Sequence, residues 1–227
     1  IGVSVFQAAA SLTNFVGGAE VTSLGTQAFW HCAKLKGDIR LPKVTAIPDN
    51  AFDSCSAITS VYAPLATSLG TSAFAACSKL TNVVSGAGTV GYRCFYHCSK
   101  LREVTFGGEE LSIGQDAFDL TGTYNCKLYV KSGYPTLASN SFSNNGTTMP
   151  LPRVYVSTVA GLESWRANCL ATKENPGAYA DYFGTGKYAS DAPRKTVGLV
   201  RLNTGTNKTG YAWLVDDVKW GMSVIVR

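Results

Sequence analysis

Phenylalanine recurs along this chain at a nearly fixed interval, with Phe6, Phe29, Phe52, Phe74, Phe95, Phe118 and Phe142 separated by 23, 23, 22, 21, 23 and 24 residues. Five residues before each stands an aliphatic side chain: Ile1, Leu24, Ile47, Leu69, Val90, Ile113 and Leu137. Three residues after it the middle copies place Cys32, Cys55, Cys77 and Cys98, and three further on come Leu12, Leu35, Ile58, Leu80 and Leu101. Short alternating stretches follow, such as Asp38 to Leu41, Ser60 to Ala63, Asn82 to Ser85 and Glu103 to Phe106, and a period of two reads as a strand. A unit this short cannot bury its own apolar side, but a stack of such units can. The repeat therefore predicts an α/β solenoid in which a parallel sheet runs along one face and Phe, Leu and Cys form ladders inside.

The pattern loosens toward its end. Phe118 is followed by an insertion over Thr121 to Asn125 before Leu128-Tyr129-Val130, and Phe142 by another before Val154-Tyr155-Val156. Val159 to Arg166 has apolar residues at helical spacing and predicts a short helix over the open end of the core. Residues 171–195 read as loop, and Thr196 to Leu202, Tyr211 to Val215 and Trp220 to Val226 as three strands of an antiparallel meander. The expected organisation is a solenoid over residues 1–157, the first repeat truncated, a capping helix over 158–170, and a loop plus β-rich segment over 171–227.

The repeats resemble the BspA-like leucine-rich repeats of bacterial surface proteins, whose pattern runs close to Leu-Pro-x-x-Val-x-x-Ile-x-x-x-Ala-Phe-x-x-Cys-x-x-Leu. The stretch from Leu41-Pro42 through Val44, Ile47, Ala51-Phe52 and Cys55 to Ile58 fits it nearly throughout, and the resemblance covers about residues 1–157. It implies a right-handed leucine-rich-repeat solenoid. It also implies an exported or cell-surface protein of a host-associated bacterium, with adhesion to host proteins or other cells as the expected role.

Composition agrees with export. Charged residues are 15% of the chain, against roughly 25% in ordinary soluble domains. The net charge of +5 comes from 20 basic against 15 acidic side chains, and no stretch of sequence gathers the basic ones, which argues against nucleic acid as a partner. No run of 18 apolar residues offers a membrane span, and residues 1–20 lack the layout of a signal peptide, so an export signal is expected to be already removed.

Chemistry finds little footing. Stacked coils lie about 4.8 Å apart, which leaves the parallel Cβ vectors of ladder cysteines farther apart than the ~3.8 Å of a disulfide. Cys32, Cys55, Cys77 and Cys98 are expected to be buried and reduced, Cys94 likewise, while pairing of Cys126 with Cys169 stays open. His31 and His97 share one phase three coils apart, roughly 14 Å at the strand spacing, too far for one zinc ion. The sequence has no Gly-x-Ser-x-Gly elbow or phosphate loop, and the acidic pairs Glu109-Glu110 and Asp216-Asp217 do not make a glycosidase dyad. The expectation is a protein that is not an enzyme and takes no cofactor and no metal.

Surface remains. In each strand two core side chains flank one that points outward, giving the row Arg40, Tyr62, Val84, Thr105, Tyr129 and Tyr155. Beside it runs Asp38, Ser60, Asn82, Glu103, Lys127 and Arg153. Tyr and Arg anchor protein interfaces more than other side chains do, and Tyr rings also stack on sugars. The candidate binding residues are Arg40, Tyr62, Thr105, Tyr129, Arg153 and Tyr155, facing a host extracellular or microbial surface protein. A glycan partner, a spacer role presenting the C-terminal segment, and a merely solvated face rich in good strand formers are the alternatives.

Overall fold

The computed structural model describes residues 1–119, 126–131, 135–138 and 141, together with the backbone of the strands at 153–156, 197–203, 209–215 and 223–226. Two sheets run along the stack. The main sheet contains β1 (Gly37–Arg40), β2 (Ile58–Ala63), β4 (Asn82–Ser85), β6 (Glu103–Phe106), β8 (Lys127–Val130) and β10 (Arg153–Val156), each parallel to its neighbour from the next coil. A second sheet joins β3 (Ser68–Leu69), β5 (Thr89–Val90), β7 (Ser112–Ile113) and β9 (Thr136–Leu137), with Ile47 bridged to Leu69 at its start. These two-residue strands hold the aliphatic positions that precede each Phe by five residues. Past β10 the main sheet continues through β13 (Ser223–Val226), β12 (Thr209–Val215) and β11 (Val197–Asn203). β13 runs parallel to β10, and the last three strands are antiparallel to one another. The expected capping helix over 158–170, Phe142 and Cys169 lie outside the described residues.

The capping helix named in the expected α/β class lies outside the described residues; within them the stack is a parallel-sheet β-solenoid without an α-helix, and Gly18–Glu20 forms a single 3₁₀ turn. The reason lies in the corner around each Phe. Residues two before and two after the Phe have left-handed φ, as at Gln27 and His31 (59° each), Asn50 (53°) and Ser54 (62°), Ser72 (50°) and Ala76 (55°), and Arg93 (51°) and His97 (59°). A left-handed residue every fourth position stops helix propagation and costs roughly 1–2 kcal/mol for an L-residue.

What repays that cost is a third backbone ladder. The N–H groups of Gln27, Phe29 and His31 donate to the carbonyls of Asp49, Ala51 and Asp53 one coil on, at 2.9–3.0 Å. Those of Asn50, Phe52 and Ser54 do the same to Thr71, Ala73 and Ala75, and those of Arg93, Phe95 and His97 to Gln115, Ala117 and Asp119. The intervening N–H groups close turns within the coil, such as Trp30 to the Gln27 carbonyl and Cys32 to that of Phe29. Alternate donors point along the stack and around it, so the buried corner backbone is satisfied without a helix.

Inside the stack the Phe rings lie nearly parallel, with successive centroids from Phe6 to Phe118 at 5.1, 5.1, 5.7, 5.6 and 5.1 Å. Phe29, Phe52, Phe74 and Phe95 are fully buried, as are Leu35, Ile58, Leu80 and Leu101 six residues after them. Gly70, Gly91 and Gly114 stack at the fourth position before the Phe, where one coil meets the next by its backbone. A Cβ on Gly91 would sit 2.6 Å from the Gly70 carbonyl carbon and the Thr71 nitrogen.

Two stability measurements follow from this packing. Phe74→Ala should cost about 3–5 kcal/mol in chemical denaturation because it opens a cavity between two rings, and Phe6→Ala, in the partly buried first coil, clearly less. Equal losses would contradict a stacked core. Gly91→Ala, which forces two backbones apart, should cost about 1–3 kcal/mol in the same assay.

Candidate functional site

Strand register decides whether the outward side chains form a surface or a scatter. Arg40 pairs with Tyr62, Tyr62 with Val84, Val84 with Thr105, Thr105 with Tyr129 and Tyr129 with Tyr155, so the expected row is one continuous line across six strands. In the first five of these strands its neighbours on either side point inward: Ile39 and Leu41, Val61 and Ala63, Val83 and Ser85, Val104 and Phe106, Leu128 and Val130 are all buried. Ser85 is the polar exception among them, and its Oγ accepts from the Ala87 N–H at 3.4 Å. Tyr62 is 37% exposed, and the Arg40 guanidinium lies over its ring at 4.9 Å from the centroid. This contact orients both side chains at the start of the row and leaves charge on its rim. Tyr155 and Arg153 are placed by backbone register, and their side chains lie outside the described residues.

Arg153 falls on the other row, paired with Lys127, which pairs in turn with Glu103. Four members of that row, Asp38, Ser60, Glu103 and Lys127, are paired within it. Ser60 and Thr59 donate their hydroxyls to Asp38 Oδ1 at 2.6 and 3.1 Å, and Lys127 bridges Glu103 at 2.9 Å. The Ser60 bond, then that of Thr59, holds the Asp38 carboxyl below its ordinary range, with a smaller contribution from Arg40. Thr59 reaches Asp38 because the register slips by one residue between Gly37 and Asp38. The surface thus has a polar rim, paired to itself at Asp38 with Ser60 and at Glu103 with Lys127, beside a row with aromatic and cationic side chains.

The thiols have a more specific role than filling space. Cys32, Cys55, Cys77 and Cys98 donate to the carbonyls of Phe6, Phe29, Phe52 and Phe74, each one coil back, at 2.9–3.1 Å. Each such carbonyl from Phe29 to Phe74 also accepts the N–H of the Cys in its own coil. A side chain at this position must be small and carry a weak donor, which is why cysteine recurs there. All six described cysteines are free and buried. Burial pushes the Cys77, Cys94 and Cys98 thiols up, and burial followed by the nearby Glu103 charge raises Cys126 to about 12.

The imidazoles do not meet. His31 packs edge-on against Trp30 at 4.6 Å and His97 against Tyr96 at 4.3 Å, in coils 2 and 5 of the stack. Glu109, one of the expected acidic pair, is bound to Lys131. Among the described residues no three His, Cys, Asp or Glu side chains gather as metal ligands, and no helix is long and apolar enough to cross a membrane. One cluster escaped the sequence reading: the Arg93 guanidinium lies 4.9 Å from the rings of both Tyr92 and Tyr96, with Nε 3.6 Å from Asp116. Its signal was the Tyr92-Arg93-x-x-Tyr96 spacing, which puts both rings on one corner only once the left-handed residues are known.

Parallel strands, a Phe ladder and a Cys ladder repeated per coil define a leucine-rich-repeat solenoid. The chain belongs to the family described as the BspA type leucine-rich repeat region, which matches in six copies over residues 1–123 and 67–151. A solved leucine-rich repeat protein from Bacteroides ovatus is similar at 20% identity with a TM-score of 0.37, over 70% of this chain. The chain spans 59% of that protein's length. No curated protein matches the sequence.

Thiol accessibility checks the site's chemistry. Cys77, Cys94 and Cys98 should resist a thiol-alkylating reagent in the native chain and react fully in denaturant, as read by peptide mass spectrometry. Rapid native labelling of these three would contradict the buried ladder.

Proposed function

We propose that this chain is the binding part of an exported or cell-surface protein that adheres to a host or microbial protein through its main sheet face. Its architecture on this reading is a right-handed solenoid over 1–157, a capping helix over 158–170, and a β-rich segment over 171–227 that covers the sheet edge. The observation that carries the reading is the unbroken register line from Arg40 to Tyr155, an outward row that no helix covers among the described residues. Tyr62, Tyr129 and Tyr155 serve as anchors, Thr105 lies between them, and Arg40 and Arg153 give the face its polarity. Large, stiff aromatic side chains bury much area at small entropic cost, which suits them to this task.

Membership in the BspA-type family supports a binding role over catalysis, and so does the separation of the two imidazoles, each set edge-on against its own aromatic neighbour. Such a face has no need of a cofactor.

A panel of immobilised extracellular-matrix proteins, plasma proteins and glycans tests this, with the chain run beside a Tyr62→Ala/Tyr129→Ala/Tyr155→Ala variant. The expected outcome is a protein ligand whose affinity falls at least thirtyfold in the variant, since a central anchor contributes about 2 kcal/mol or more. Unchanged affinity in the variant would shift the function to residues 171–227, and binding displaced by soluble oligosaccharide would replace the protein partner with a glycan.

A further inference from the structure

The basic residues are dispersed in sequence, but the coil collects them. Five and seven residues after the Phe, on the exposed stretch that leads into the main sheet, stand Lys34 and Lys36 in coil 2, Lys79 in coil 4, and Lys100 and Arg102 in coil 5. No acidic residue occupies either position in the five coils from Phe6 to Phe95. None of the five cations takes part in a salt bridge among the described residues. The acids flanking this edge are already engaged, Asp38 by Ser60 and Thr59 and Glu103 by Lys127. The acidic residues nearest the Phe, namely Asp49, Asp53, Asp116 and Asp119, sit at other phases of the coil, so the cross-section is polarised.

Lys79 and Lys100 occupy equivalent positions in adjacent coils, about 4.8 Å apart along the stack, and Lys34 to Lys100 spans about 14 Å. Lys79 and Lys100 thus lie within a Debye length of about 8 Å and repel one another, as do Lys34 and Lys36, and Lys100 and Arg102, two residues apart within one coil. A linear partner carrying regularly spaced anions would relieve that repulsion along its whole length. We infer that this edge, distinct from the sheet face, binds a sulfated linear polysaccharide.

Two features favour a glycan over a nucleic acid. Four of the five cations are lysines, which meet an anion as point charges and lack the fork with which arginine reads phosphate and base edges. Of the aromatic rings at this corner, Trp30 and Tyr96 are half-buried and set edge-on to His31 and His97, and the exposed Tyr92 carries the Arg93 guanidinium over its ring, so they are not open platforms for stacked bases. The inference does not depend on the proposed protein ligand, because no residue of the outward row takes part.

The test is binding of the full chain to immobilised heparin, with desulfated heparin and single-stranded poly(dT) as competitors at equal charge. Lys79→Gln/Lys100→Gln/Arg102→Gln is compared with Arg40→Gln/Lys43→Gln/Lys131→Gln, which removes the same net charge elsewhere. The edge variant should bind at least tenfold more weakly, with a log affinity against log salt slope shallower by about 2 for three lost contacts. The control variant and the Tyr-row variant should stay within threefold of the native chain. Desulfated heparin should fail to compete. Lys79→Gln alone and Lys100→Gln/Arg102→Gln should each show part of the loss, which keeps the comparison readable if the triple variant folds poorly. Equal losses in edge and control variants, no binding by the native chain at 0.15 M salt, or displacement by poly(dT) as effective as by heparin would each overturn the inference.

Discussion

Everything in this structure depends on how the backbone at the Phe corner disposes of its N–H groups. At that corner alternate donors reach forward to the next coil and the remainder close local turns. The arrangement demands left-handed backbone at two positions per coil, at residues as varied as Gln27, His31, Ser54 and Ala76. Their strain is tolerated because each coil is bonded to the next along three lines, the main sheet, the short sheet and the corner, while Phe rings and Cys thiols fill the space between. Stability is then a sum of contacts between neighbouring coils rather than of one shared centre.

Much of this was legible in the sequence, for a physical reason. Positions that point inward are repeated in every coil, so Phe29, Phe52, Phe74 and Phe95, with their Cys and Leu companions, announce both the repeat and the core. The outward row was equally legible, because one residue between two inward ones has a fixed direction in a strand. The helix-free corner was not legible, because left-handed backbone at Gln27 or His31 carries no composition signal when the residue is not glycine. The short second sheet escaped because two-residue strands such as Ser68-Leu69 and Thr89-Val90 are too brief to show an alternation. The thiol to carbonyl bonds, and the charged edge formed by Lys34, Lys79 and Lys100, needed the coil to bring distant residues side by side.

The two surfaces differ in what they ask of the fold. The sheet face is built from side chains whose directions the strands fix, with Arg40 held over Tyr62 and Asp38 and Glu103 of the polar rim paired to Ser60 and Lys127 beside them. The edge before it asks only that lysines recur at one phase, so its character lies in charge density. A partner that spans several coils can engage either without any coil changing shape.

The glycine positions at Gly70, Gly91 and Gly114 bear on how such a surface diversifies. There the coils touch backbone to backbone, which sets the closest approach, while the ladder hydrogen bonds set the farthest. The stack is in effect a ruler with graduations of about 4.8 Å. Outward positions two coils apart are then separated by nearly 10 Å, the distance beyond which substitutions act almost additively. A new specificity can be composed at every second coil, each change leaving the contribution of the other intact, while changes in adjacent coils, such as Arg40 and Tyr62, act together.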